Sequence, residues 1–164
     1  SFYGEFQPRS GISVNMYFRR GQQIDFANAT LAQVADFRPG LTINIGRGFG
    51  LEIDHTWQRL SRDGGDVVKA NLTDLRVSWQ LDLRQRLRFS LQRGDMVRDV
   101  DLWTGDVDQR ERKTDMQLLY SYKINPRTAL YAGYSEGRFA NDTFNELFPD
   151  DRSLFAKLTY AWQP

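Results

Sequence analysis

Acid–base chemistry in this chain would have to start from Glu52, Asp54 and His55, where the only histidine follows two carboxylates. A hydrolytic site needs a nucleophile, a base and an orienting group converging on one point. Successive side chains of an extended strand point to opposite faces, so His55 falls on one side and both acids on the other. That spacing assembles no catalytic set, and the chain reads as non-enzymatic. Cysteine is absent, which removes thiolate nucleophiles, disulfides and thiolate metal sites and accords with an exported protein. Two connections are acidic, one with Asp95, Asp99, Asp101, Asp106 and Asp108, the other with Asp142, Glu146, Asp150 and Asp151. Their spacing does not follow the EF-hand loop, so solvated loops are expected, with no metal and no cofactor. Trp103, Phe139, Phe144 and Phe148 in the same stretches are expected to pack the loops together.

The richer set of ionisable residues alternates with apolar ones inside extended segments: Asp36, Arg38, Glu52, Asp54, Asp74, Arg76, Asp82, Arg88, Asp115, Lys123 and Lys157. A ring of one sign would select ions. In the sequence the two signs cancel, so the expectation is a structural ion-pair network along a polar wall, or a hydrophilic conduit.

The elements that carry these residues are strands. Ile12, Val14, Met16 and Phe18 alternate with Ser13, Asn15, Tyr17 and Arg19, and Leu51, Ile53, His55 and Trp57 alternate with Glu52, Asp54, Thr56 and Gln58. Leu75, Val77, Trp79, Leu81 and Leu83 stand opposite Asp74, Arg76, Ser78, Gln80 and Asp82. The same two-residue period runs through 35–45, 87–92, 115–124, 130–134 and 154–162, with an opening strand over 2–7. Pro39 inside one segment predicts a bulge or a local break. No apolar run approaches the roughly 18 to 20 residues of a helical membrane span. Lys and Arg number 22 against 21 Asp and Glu, a balance that gives no field to hold nucleic acid.

Short connections alternate with long ones. QPRSG at 7–11, GRGFG at 46–50, Arg84–Gln85–Arg86 and NPRT at 125–128 are tight; 19–30, 61–66, 94–112 and 136–151 are long. Outer-membrane barrels pair short periplasmic turns with longer extracellular loops, their last strand returning to the periplasm. Three features favour a membrane sheet over a soluble β-sandwich or lipocalin-like barrel that binds a ligand or partner through its loops. Mid-strand charges keep to one face, whereas an exposed Lys or Arg on the lipid side costs about 2–4 kcal/mol at the midplane. Phe18, Trp57, Trp79, Tyr122, Tyr134, Tyr160 and Trp162 edge the other face, as amphipathic rings do at interfaces. The chain also ends in LTYAWQP, which resembles the terminal aromatic signal of barrel assembly.

The strings FYGEFQPRSG at 2–11, RRGQQIDFAN at 19–28, FRPGLTINI at 37–45, LEIDHTWQRL at 51–60, ANLTDLRVSWQ at 70–80, QLLYSYKINPRTALYAGYS at 117–135 and DRSLFAKLTYAWQP at 151–164 carry a wider likeness. Their order and spacing resemble the C-terminal barrel of large bacterial outer-membrane proteins of uncharacterised function that bear an N-terminal family-9-like carbohydrate-binding domain. The resemblance implies an outer-membrane barrel and leaves the activity undefined. The expectation is an all-β, antiparallel up-and-down transmembrane β-barrel, residues 1–164 forming its C-terminal portion of about nine strands. The opening SFYGEFQP lacks a leader pattern, so the remaining strands and any carbohydrate-binding domain are expected upstream. The expected role is an anchor or passage for a surface or periplasmic assembly, carbohydrate-related through the resemblance. Its expected partners are outer-membrane lipid, lipopolysaccharide, and upstream strands or other subunits.

Overall fold

The computed structural model describes residues 1–26, 29–62, 65–103, 105–125, 127–143 and 146–160. Among them, nine strands form one sheet in sequence order, each antiparallel to the next. They are β1 (Phe2–Arg9), β2 (Ile12–Asp25), β3 (Thr30–Ile45), β4 (Phe49–Arg62), β5 (Gly65–Gln80), β6 (Gln85–Arg98), β7 (Arg110–Asn125), β8 (Thr128–Ala140) and β9 (Phe148–Tyr160). No second sheet packs on this one, and only Ala32, Val34, Leu60, Val67 and Ala140 are buried apolar residues among those described. A sandwich would bury one whole face of each sheet, so the sandwich alternative does not describe this fold.

The two faces differ in character. Register places Ile12, Leu41, Leu51, Leu75, Leu91, Leu118, Leu130 and Leu158 on one side. Side chains there stand in the open, with Phe6 67% and Leu154 82% exposed. The opposite side is polar, and a groove of about 480 Å³ on it is shared by Thr42, Glu52, Arg76, Arg88 and Gln117 from five successive strands. The sheet therefore curves toward its polar face and turns its apolar face outward.

Aromatic residues mark both borders of the convex apolar band. Phe2, Phe18, Phe37 and Trp57 pair in one row across β1–β4. Phe49 pairs with Trp79, and Tyr122 and Tyr160 lie near the same end of β7 and β9. Tyr134 faces Leu118 and Leu154. Trp162 lies outside the described residues.

Several expectations are corrected by the geometry. Asp82, expected on the polar strand face, lies beyond the end of β5 in the turn to β6. Its carboxylate accepts the backbone N–H of Arg84 at 2.6 Å and of Gln85 at 2.8 Å, so short-range turn chemistry overrides the alternation. Leu81 and Leu83 leave the apolar face with it. The segments 19–30, 61–66, 94–112 and 136–151 are less loop than strand: β2 runs to Asp25, β4 to Arg62 with β5 beginning at Gly65, β6 to Arg98, β8 to Ala140, and β9 begins at Phe148. At Pro39 the expected local break is present without a bulge: the ladder to β4 is interrupted at Arg38 and Pro39, while Phe37 faces Trp57 and Gly40 faces Asp54 in one continuous register.

Tight turns lock neighbouring hairpins together. Asn44 donates its backbone N–H to the Gly11 carbonyl at 2.6 Å, and Gln80 does the same to Gly48 at 2.6 Å. Gly11 has a φ of +83°, and a Cβ there would strike the Asn44 carbonyl. Gly11→Ala combines strain with a clash and is expected to lower stability by about 1–2 kcal/mol, read by urea unfolding of the full-length protein in micelles. The backbone N–H of Arg84, then that of Gln85 with its side chain, hold the Asp82 carboxyl below the ordinary carboxylate range. Because the folded value is depressed, this contribution is present above the ordinary carboxylate value and lost as pH falls through the folded one. Asp82→Asn is therefore expected to flatten the acid limb of stability against pH, and an unchanged limb would contradict the assignment.

Candidate functional site on the polar concave face

Cross-strand pairing turns scattered charges into rows. One row crosses all nine strands as Glu5, Asn15, Gly40, Asp54, Asp74, Gln92, Asp115, Gly137 and Asp151. It carries five acids and no base. Six residues further toward the short-turn end on β6, another row runs Gln80, Arg86, Ser121, Tyr131 and Lys157. Arg88 and Lys123 lie one step to either side of it, opposite Ser78 and Ala129. No acid stands on these three levels of β6–β9. The expectation that the signs cancel is corrected here: they cancel in the total and separate along the strand axis.

Arg86, Arg88, Lys123 and Lys157 form none of the salt bridges seen among the described residues. Arg86 and Lys123 share a groove of about 450 Å³ with Ser121, Tyr131 and Thr159. Arg76 lies between the two rows and spans them, donating to Asp74 at 2.8 Å and to Glu52 at 3.4 Å. Further along, Arg38 clasps Asp36 with Nε at 2.9 Å and Nη2 at 2.6 Å. Asp36 is wholly buried, Arg19 stands 3.7 Å away, and Arg38 lies 5.4 Å from the centre of the Tyr17 ring. This bidentate pair is structural, since every oxygen faces a cation.

The long-connection end of the concave face closes differently. Val34, Leu60 and Val68 pair across β3–β5 and pack with Ala32 into a small apolar cluster. The β6–β7 connection, with a 3₁₀ turn at Val100–Leu102, leans onto that end. The Trp103 indole donates to the Val67 carbonyl at 3.0 Å, Arg62 donates to the Leu102 carbonyl at 2.6 Å, and Arg98 lies 5.7 Å from the Trp103 ring. Phe139 and Phe148 pair across β8 and β9 instead of sitting in a loop, and Phe144 lies outside the described residues. Trp103, expected to pack loop against loop, folds back onto the Val67 carbonyl of β5 instead.

Acids of the connections hold backbone N–H groups. Asp99 accepts the Asp101 N–H at 3.1 Å, and Asp142 accepts the backbone N–H groups of Gln109 and Arg110. Asp95, in β6, receives two bonds from Arg110. Among the described residues no group of three or more His, Asp or Glu is placed to hold a metal ion. His55 pairs with Thr73 on the convex face, Nδ1 to Oγ1 at 2.9 Å. Glu52 and Asp54 turn to the other side, so the three residues do not converge.

No family model matches the chain, and no curated protein matches it. Among solved structures it is similar to OmpT, an outer membrane protein of Vibrio cholerae, folded in vitro, with a TM-score of 0.57 at 14% identity over 98% of this chain and 54% of that one. A loop L8 deletion mutant of the same protein aligns with a TM-score of 0.57 at 14% identity, over 98% of this chain and 52% of the other. The chain thus spans about half the length of these structures. At that identity the likeness speaks to fold: the sheet is that of an outer-membrane β-barrel.

Removing Arg38 would leave Asp36 buried against a single distant cation. Arg38→Met is expected to cost about 2–3 kcal/mol, while Asp36→Leu combined with Arg38→Met costs less than the single change. Comparing urea midpoints of the two variants checks this; a double variant weaker than the single would refute it.

Proposed function

We propose that this chain is one side of an outer-membrane barrel whose concave face lines a hydrophilic passage, and that the protein works without catalysis. The observation that carries the reading is the sorting of charge on that face. A purely structural wall would pair its ions locally, as Asp36 and Arg38 do; here a cationic level on β6–β9 stands apart from the acidic row. Side chains of one sign along a wetted wall raise the local concentration of counter-ions.

The convex face supports the membrane location. Between its aromatic borders it carries Leu, Ile, Val and Phe with no Asp, Glu, Lys or Arg among the described residues, and charge at that depth is costly. The outer edges of β1 and β9 pair with no described strand. In this reading further strands of the same protein close the barrel, because an open edge inside lipid would leave backbone groups unsatisfied. Service to a carbohydrate-handling assembly rests on the sequence resemblance alone. The anchor reading draws on the β6–β7 connection leaning over the concave mouth.

Planar-bilayer recording of the full-length protein distinguishes passage from anchor. Discrete open steps are expected, with a reversal potential in a KCl gradient that shifts toward the cation side when Arg86, Arg88 and Lys123 are all changed to Gln. The shift corresponds to a fall in relative chloride permeability of about twofold or more. A barrel that inserts and never conducts defeats the passage and leaves the anchor.

A further inference from the structure

The convex face changes character abruptly at its long-connection edge. On β2, β4, β5, β6 and β9 the first charged side chain beyond the apolar band is Arg20, Arg59, Lys69, Arg93 and Arg152 in turn, every one basic. Each acid on this rim serves to position cations. Asp66 is clasped by Arg59 and by Lys69, the latter at 2.7 Å. Glu136, its side chain 4% exposed, takes Arg138 Nε at 2.7 Å, Arg152 Nη2 at 3.2 Å and the Tyr134 hydroxyl at 2.5 Å. Arg138 and Arg152 stay 43% and 57% exposed, so their remaining N–H donors face outward from a fixed base. Arg20 and Arg93 form none of the salt bridges seen among the described residues. On the same face the opposite border carries Ile45, Phe49, Trp79 and Tyr122.

We infer that this rim binds the phosphate groups of a lipid in the leaflet it faces, and that the lipid is a multiply phosphorylated glycolipid of the lipopolysaccharide kind. Guanidinium groups match phosphate oxygens through paired donors. Height argues for the glycolipid over an ordinary phospholipid. Arg110 and Arg112 are two residues apart on β7 and share the convex face, a separation of about 7 Å along the strand. The cations therefore stand in tiers above the apolar band, deeper than one layer of phosphodiesters requires. Arg138 and Arg152, both held by the buried Glu136, form a clamp in the rim.

The inference rests on the membrane reading above, and the test separates the two. Full-length protein in a neutral detergent is titrated with bisphosphorylated lipid A, dephosphorylated lipid A, phosphatidylglycerol and inorganic phosphate, and bound lipid is counted by native mass spectrometry. Bisphosphorylated lipid A is expected to bind at least tenfold more tightly than its dephosphorylated form and than phosphatidylglycerol, with inorganic phosphate weaker still. Changing Arg59, Lys69, Arg93, Arg138 and Arg152 to Gln removes most of that preference; Arg47→Gln, on a short turn at the other end, leaves it intact. Each variant is first shown to be folded by its heat-modifiable migration on a gel. Equal binding of the dephosphorylated form, or preference surviving the fivefold variant, overturns the rim. Equal binding of phosphatidylglycerol overturns the choice of glycolipid. Recovery of the protein in solution without detergent overturns the membrane reading and the rim together.

Discussion

Every feature described above depends on the hydrogen-bonded register between neighbouring strands. An antiparallel ladder forces side chains to alternate between two faces, and a slip of one residue would carry every apolar side chain of a strand into the polar face. Because eight successive pairings hold with only local shifts, the alternation within each strand becomes continuous across the sheet. The convex band, the concave rows and the rim are three consequences of that one constraint.

A sheet built this way does not need a conventional core. Its few buried apolar residues gather where Val34, Leu60 and Val68 meet the β6–β7 connection. Elsewhere the ladders and polar contacts hold the strands to one another, and the apolar side chains project outward. In water such a face would be a contiguous exposed patch of a kind soluble monomers avoid. In hydrocarbon the same face is matched to its surroundings, and the requirement that backbone groups be satisfied internally is met by the ladders.

Where strands outlast the apolar band, their chemistry changes while their geometry does not. β2 and β6 continue beyond Phe18 and Leu91 into Arg20 and Arg93 without leaving the ladder. The result is a rigid collar of cations on the outside, built on strands and not on loops. On the inside the same extension carries Arg98, which pairs with Glu111 at 3.0 Å and lies against Trp103.

Residue order by itself determined the strand class, the strand number, the division into apolar and polar faces, and the placement of His55 away from Glu52 and Asp54, because all of these follow from a period of two read along one strand. It also held the aromatic borders, since Phe18, Trp57, Trp79 and Tyr122 stand at fixed offsets from the turns. Only the tertiary structure decided which charges are neighbours. Asp54 and Asp74 are twenty residues apart in sequence and directly opposed in the sheet, and Arg86 reaches Lys157 only through Ser121 and Tyr131. Register between strands is set by turn geometry and by the bulges at Leu60/Ser61 and Gly137/Arg138, none of which alternation encodes. Composition and alternation could therefore say that positive and negative charge balance; where each sign collects along the axis was a property of the folded sheet.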